Sequence, residues 1–212
     1  MNLDFKHCDK FLNKYLFDGL MRKERNNKLV RNLATAFIVI LMVGSVIGYM
    51  FGRSSEESFK YNGHKFLVRG NKFGLKVNKA DIEFDYFPSS VEDINVSSEI
   101  LSKLLNKIEI DSTYDNNSKW KEGISVAQYD LEKYFNAIGA YFVKGLTAEN
   151  DFGMPVIECD TTTNNVPVIY FKDSNQTKIW IENNCIIAEA KSETDFIRIK
   201  DRLIYGLLGV IE

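Results

Sequence analysis

Charged residues stop at Arg31 and do not return until Arg53, and from Leu33 through Phe51 the chain reads LATAFIVILMVGSVIGYMF. A helix rises about 1.5 Å per residue, so this run comes close to the ~30 Å of hydrocarbon that a single crossing must cover. It carries no proline to interrupt the backbone hydrogen bonds that lipid cannot supply. The pattern predicts one transmembrane helix over 33–52. Gly44 and Gly48 form a small-xxx-small pair that would let a second helix approach closely.

Ahead of that run the apolar positions recur at intervals of three and four: Phe5, Cys8, Phe11, Leu12, Tyr15, Leu16, Leu20 and Met21, with Lys6, Lys10 and Lys14 on much of the other face. This is the period of an amphipathic helix within residues 1–32. Beside a membrane, such a basic helix can lie among headgroups, dock in a partner's groove, or serve only as a topology signal.

After the apolar run the period changes to two. Phe59–Val68, Lys72–Asn78 and Asp81–Phe87 alternate and are separated by Gly70 and by Asn78-Lys79, which predicts a three-stranded meander. Ser97 should cap a short helix carrying Ile100, Leu101, Leu104 and Leu105, and Ile108–Asp111 should be a strand. A polar loop at Asp115–Lys119 leads to a helix over Ser125–Ile138, closed by Gly139. The apolar run Ala140–Leu146 completes a strand–helix–strand order, for which a right-handed parallel crossover is expected. Four more strands are predicted at Pro155–Cys159, Val166–Lys172, Thr177–Ile181 and Cys185–Ala190, with Asp173-Ser174-Asn175 turning between the second and third. A last helix starts at Glu193 under a Ser192 cap, with Asp195 at the capping-box position. The expected class is α+β, a mixed sheet with flanking helices, as one globular domain over 53–212.

Charge gives this plan a direction. Lys6, Lys10, Lys14, Arg22, Lys23, Arg25, Lys28 and Arg31 precede the apolar run, whereas Arg53, Glu56 and Glu57 follow it. The positive-inside rule therefore predicts residues 1–32 in the cytoplasm and the C-terminal domain outside. An uncleaved anchor is expected rather than a signal peptide, because some thirty residues before the apolar run is long for an n-region and no A-x-A site follows the run closely. A net charge of −2 gives no field that would favour nucleic acid, so the bilayer and a protein partner in the envelope are the expected partners.

Three cysteines divide as Cys8 before the span and Cys159 with Cys185 after it. In an oxidising exterior the latter pair is expected to form a disulfide. Asn95-Val96-Ser97, Asn116-Asn117-Ser118 and Asn175-Gln176-Thr177 are glycosylation sequons, all after the span.

Candidate chemistry is sparse. His7 and His64 flank the span singly, and neither G-x-x-x-x-G-K-[ST] nor G-x-G-x-x-G occurs, so no catalytic residue, metal ligand or cofactor site is assigned. Asp81, Glu83 and Asp85 share one strand face, but evenly spaced carboxylates do not wrap around one ion, and Lys72 and Lys76 are nearer partners. Trp120, in a polar stretch, is the candidate partner contact, and Trp180 alternates with Ile179 and Ile181 on a strand.

The closing run Asp201–Gly209 (DRLIYGLLG), with Pro167-Val168-Ile169 and Asn184-Cys185-Ile186-Ile187 before it, is similar to uncharacterised membrane-anchored proteins of archaea. That resemblance covers about the last third of the chain; it implies an archaeal source and no known activity. The order of parts also resembles type IV pilin precursors, although Arg31, Asn32 and Ala36-Phe37 stand where that family has its processing Gly or Ala and its early Glu. The expected function is a non-enzymatic, membrane-tethered binding or scaffold domain in an envelope or surface assembly. A thiol-disulfide enzyme using Cys159 and Cys185, and a pilin-like filament subunit, are the alternatives.

Overall fold

A computed structural model describes residues 30–48, 57–77 and 80–212. The chain divides into two compact units, Met1–Ser55 and Glu56–Glu212. The amphipathic segment expected before residue 30, with Cys8 and His7, lies outside the described residues.

In the first unit, helix α1 spans Val30–Gly48 and is long and apolar enough to cross a membrane. Its few hydroxyls are compatible with lipid because they turn back on the helix: Thr35 Oγ1 donates to the Arg31 carbonyl at 2.9 Å and Ser45 Oγ to that of Met42 at 2.8 Å. Gly44 and Gly48 both open onto empty space.

The second unit is α+β. Its first sheet is an antiparallel meander of four strands in sequence order, β1 (Ser58–Tyr61), β2 (His64–Arg69), β3 (Lys72–Val77) and β4 (Ala80–Phe84). The expected single strand over Phe59–Val68 is thus two. Asn62 and Gly63 break it, both at positive φ (44° and 82°), as the two central residues of a hairpin turn require.

Helix α2 (Ser98–Leu104) begins where Ser97 accepts from the Ile100 N–H. Strand β5 (Glu109–Tyr114), helix α3 (Lys121–Ala137) and strand β6 (Tyr141–Lys144) form the expected crossover, with β5 and β6 parallel. Gly139, at φ 87°, closes α3: its N–H reaches the Asn136 carbonyl and the Ala140 N–H reaches that of Phe135, the paired bonds of a Schellman cap.

Two expectations fail beyond this point. Pro155–Cys159 is not a strand; it makes one bridge, Val156 to Leu146, and then turns into a 3-10 turn at Cys159–Thr161. Proline supplies no N–H to a ladder, so only the Ile157 N–H and the Pro155 carbonyl bond to Leu146. Nor do β7 (Val168–Asp173) and β8 (Lys178–Glu182) pair as the turn between them implied. Strand β9 (Cys185–Ala190) lies between them, parallel to β7 and antiparallel to β8, giving the sheet order β6-β5-β7-β9-β8. All six residues of β9 are buried, as a central strand covered on both faces must be.

Helix α4 (Glu193–Leu207) starts on Ser192, whose hydroxyl accepts from the Asp195 N–H. It touches both sheets. Phe196 meets Phe171 of β7 edge to face, while Tyr205 stacks on Phe84 of β4 at 4.1 Å between ring centres. Residues 199–205 are consequently buried all round, including Lys200, Asp201 and Arg202, which the sequence alone places as polar interruptions. Each has a partner on the meander side: Lys200 Nζ lies 2.8 Å from Asp85 Oδ2, Asp201 accepts from the backbone of Asp85 and Tyr86, and Arg202 Nε donates to the Ile94 carbonyl. The core follows from this stacking of mixed sheet, helices and meander.

Candidate binding face on the mixed sheet

Because α3 and α4 cover one face of the mixed sheet, its two faces differ. Ile169, Phe171, Ile186, Ala188 and Ile179 pack into the main core with the helices. Their strand neighbours point the other way and form a small separate cluster of Ile157, Val168, Cys185 and Ile187. Among the described residues no α-helix covers that second face. Its cover comes from the segment after β6, which Ile157 and the Cys159–Cys185 disulfide fasten to the sheet.

The strand register builds a row across this face. Thr113 of β5 lies opposite Tyr170 of β7, Tyr170 opposite Ile187 of β9, and Ile187 opposite Trp180 of β8. Tyr170 and Trp180 are half-buried, and Lys178 places its ammonium 4.2 Å from the centre of the Trp180 ring. One row further along, Lys172, Glu189 and Lys178 alternate in sign, with Lys178 Nζ 3.6 Å and Lys172 Nζ 3.9 Å from the Glu189 carboxylate.

Two polar groups on this face have no hydrogen-bond partner among the described residues. The Thr113 hydroxyl is buried and unpaired, and so is Asp111 Oδ1. Burial pushes the Asp111 carboxyl above its ordinary range, and the charge of Glu109 adds to the effect. Unpaired buried polar atoms are costly and uncommon in a folded protein, and these two lie on adjacent rows of one face.

Other places offer less. In open parallel sheets the crevice at the carboxyl ends of the strands is the usual ligand site. Here Asp173 fills it, accepting from Ser118 Oγ at 2.6 Å and from the Lys119 N–H at 3.0 Å just ahead of α3. A groove of about 80 Å³ runs between β4 and α3. Of its carboxylates, Asp81 is engaged by Arg69 and Asp130 by Lys200. On the meander, Lys72 pairs with Asp85 as its spacing suggests, whereas Arg69 rather than Lys76 serves Asp81 and Glu83. Among the described residues no group of three His, Cys, Asp or Glu is placed to hold a metal ion.

Cys159 and Cys185 are joined by a disulfide. Cys185 is fully buried and Cys159 half-buried, so an attacking thiolate reaches this bond only from the Cys159 side. Trp120 is half-buried rather than exposed: it caps α3, packs against the main core and turns its indole N–H inward. The tryptophan on the helix-free face is Trp180. The sequons place Asn95, Asn116 and Asn175 on the surface.

Comparison with protein-family models, with curated proteins and with solved structures found no match.

Proposed function

We propose that this chain is a single-pass membrane-anchored protein whose C-terminal α+β domain lies outside the cell and binds a protein partner of the envelope through the helix-free face of its mixed sheet. The observation that carries this reading is the row Thr113, Tyr170, Ile187, Trp180, in which half-buried aromatic rings stand beside buried polar atoms that lack partners. Large aromatic side chains lose little entropy on contact and dominate binding hot spots. Support for the outward orientation comes from the cationic residues that crowd the chain before α1 and from a disulfide suited to an oxidising compartment.

A photo-crosslinking amino acid at Tyr170 or Trp180, in cells carrying the full chain, tests the face. One recurrent cross-linked protein at both positions, absent when the probe stands at Lys76 on the meander, is expected. The same products at all three positions, or none at the first two, would remove the assignment. Orientation is read separately: Asn175→Cys should react with an impermeant maleimide in intact cells, while Cys8 reacts only after lysis.

A further inference from the structure

The foot of the mixed sheet, where β7 and β9 begin, holds a surface cavity of about 220 Å³ lined by Ser102, Lys103, Lys107, Thr163, Asn164, Pro167 and Asn184. At ~30 Å³ per water this is space for about seven waters, enough for a small molecule. Two features separate it from ordinary surface. Both lysines are half-buried and bond to neutral oxygens of the rim, Lys107 Nζ donating to the Asn164 carbonyl at 2.6 Å and Lys103 Nζ to the Asn184 side-chain oxygen. Long lysines normally carry their ammonium out to water or to a carboxylate. Here the lining contains no carboxylate, and among the described residues neither lysine joins an ion pair. Two positive charges therefore line one cavity on neutral oxygens, in a chain whose net charge is −2.

The walls are also fixed before any ligand arrives. Asn184 directly precedes Cys185, and Thr163 and Asn164 follow Cys159 closely, so the disulfide ties the two sides of the cavity together. The loop between is pinned by the Thr163 hydroxyl, which accepts from the Val166 N–H at 2.9 Å, and by the reciprocal Thr163 N–H bond to the Val166 carbonyl. Pre-formed walls lower the entropy cost of binding.

We propose that this cavity binds a small oxyanion carried on a hydroxylated body, the chemistry of an acidic or phosphorylated sugar. The two ammoniums meet the anionic group, and the amides and hydroxyls of Asn164, Asn184, Ser102 and Thr163 meet the hydroxyls. The site is separate from the protein-binding face and does not depend on it.

The test is titration calorimetry on the full chain in neutral detergent, with inorganic phosphate, glucuronate and glucose up to about 10 mM, past the millimolar end of useful affinity. Saturable binding of glucuronate, displaced by phosphate and weakened about tenfold or more by Lys103→Gln with Lys107→Gln, is the expected result. The same pair of changes at Lys60 and Lys76, on the meander, should leave it unaltered. If folding of the first variant is in question, rising salt must weaken glucuronate binding by the unmodified chain. Equal binding of glucose and glucuronate, no saturation, or equal loss in both variants would overturn the site. Binding of phosphate without glucuronate would overturn the sugar body.

Discussion

Lys200, with no solvent exposure, places its ammonium 2.8 Å from Asp85, a residue 115 positions earlier in the chain. The same ammonium lies 3.1 Å from Asp130 and 2.7 Å from Asp201, so one buried cation joins β4's end, α3 and α4. Burial alone would drive its proton off, but Asp201, Asp85 and Asp130 outweigh burial and hold its pKa above the ordinary lysine range.

Lys200→Met should leave those carboxylates facing one another without a shared cation. Removing one member of a buried ionic set costs about 3–5 kcal/mol, and urea unfolding of the variant should read a loss of that order. A loss below about 1 kcal/mol would mean that water reaches the cluster.

The pH response follows from Asp201. Burial pushes its carboxyl up to about 6, against the pull of Lys200 and of the Tyr86 N–H. Between its ordinary 3.8 and about 6 the folded chain keeps a proton that the unfolded chain releases, so this group lowers stability as pH rises through that window. Asp85 and Asp195 act oppositely. Burial raises both, yet hydrogen bonds from Lys200 and Lys72 to Asp85, and from Ser192 and Arg198 to Asp195, hold them below the ordinary range. Their contribution is present above the unfolded carboxylate value and lost as pH falls below it. In Asp201→Asn, which keeps an acceptor for the Asp85 and Tyr86 amides, the decline in stability between pH 4 and 6 should flatten by on the order of 2–3 kcal/mol. Chemical denaturation at several pH values measures it.

Replacing both Cys159 and Cys185 by serine releases a loop whose ends are 26 positions apart. The chain-entropy relation gives about 3.5 kcal/mol for such a loop, and the double variant should unfold at correspondingly lower denaturant. An unchanged midpoint would show the bond to be open in the purified protein.

At Gly123, helix propensity and packing point in opposite directions. Alanine is favoured by about 1 kcal/mol inside a helix. A Cβ at this position, however, would sit 2.4 Å from Glu193 Cγ and 2.7 Å from the Glu193 carbonyl oxygen, where α3 meets the start of α4. The second obstacle is backbone and cannot rotate away, so overpacking decides the sign: Gly123→Ala should destabilise by about 1–3 kcal/mol in thermal unfolding.

Features set by a few adjacent residues were legible in the sequence. The caps at Ser97 and Ser192, the stop at Gly139, the parallel crossover and the cysteine pair each follow from local chemistry or simple counting. The Asn62-Gly63 turn carries an equally local signal, masked by the alternating run on either side, which reads as one strand. Strand order was harder, since β7 and β8 are neighbours in sequence and share a turn. The signal for it lies in composition: Cys185-Ile186-Ile187-Ala188 is an unbroken apolar run fit for a central strand, whereas β8 has Lys178 and Glu182 at its ends.

The candidate face was less visible still. Trp180 reads as one aromatic among many until the register sets it in line with Ile187, Tyr170 and Thr113. Trp120 drew attention from its polar neighbours, yet the first turn of α3 folds it back against the core. The Lys200-Asp201-Arg202 triplet looks solvated because charge usually is; its burial depends on a second sheet lying over α4, which no local pattern in α4 declares.

The insertion of β9 between β7 and β8 also bears on how the chain can be made. A ribosome that has delivered residues up to Asn184 has delivered the strands on either side of a gap, two strand spacings or ~10 Å wide, and not the strand that fills it. Helix α4, which covers the same sheet, comes later still. The domain therefore has no secure stopping place short of its last helix. Chains stalled or cut between Glu182 and Cys185 would present bare strand edges on both sides of the gap, the kind of surface on which chaperones and proteases act.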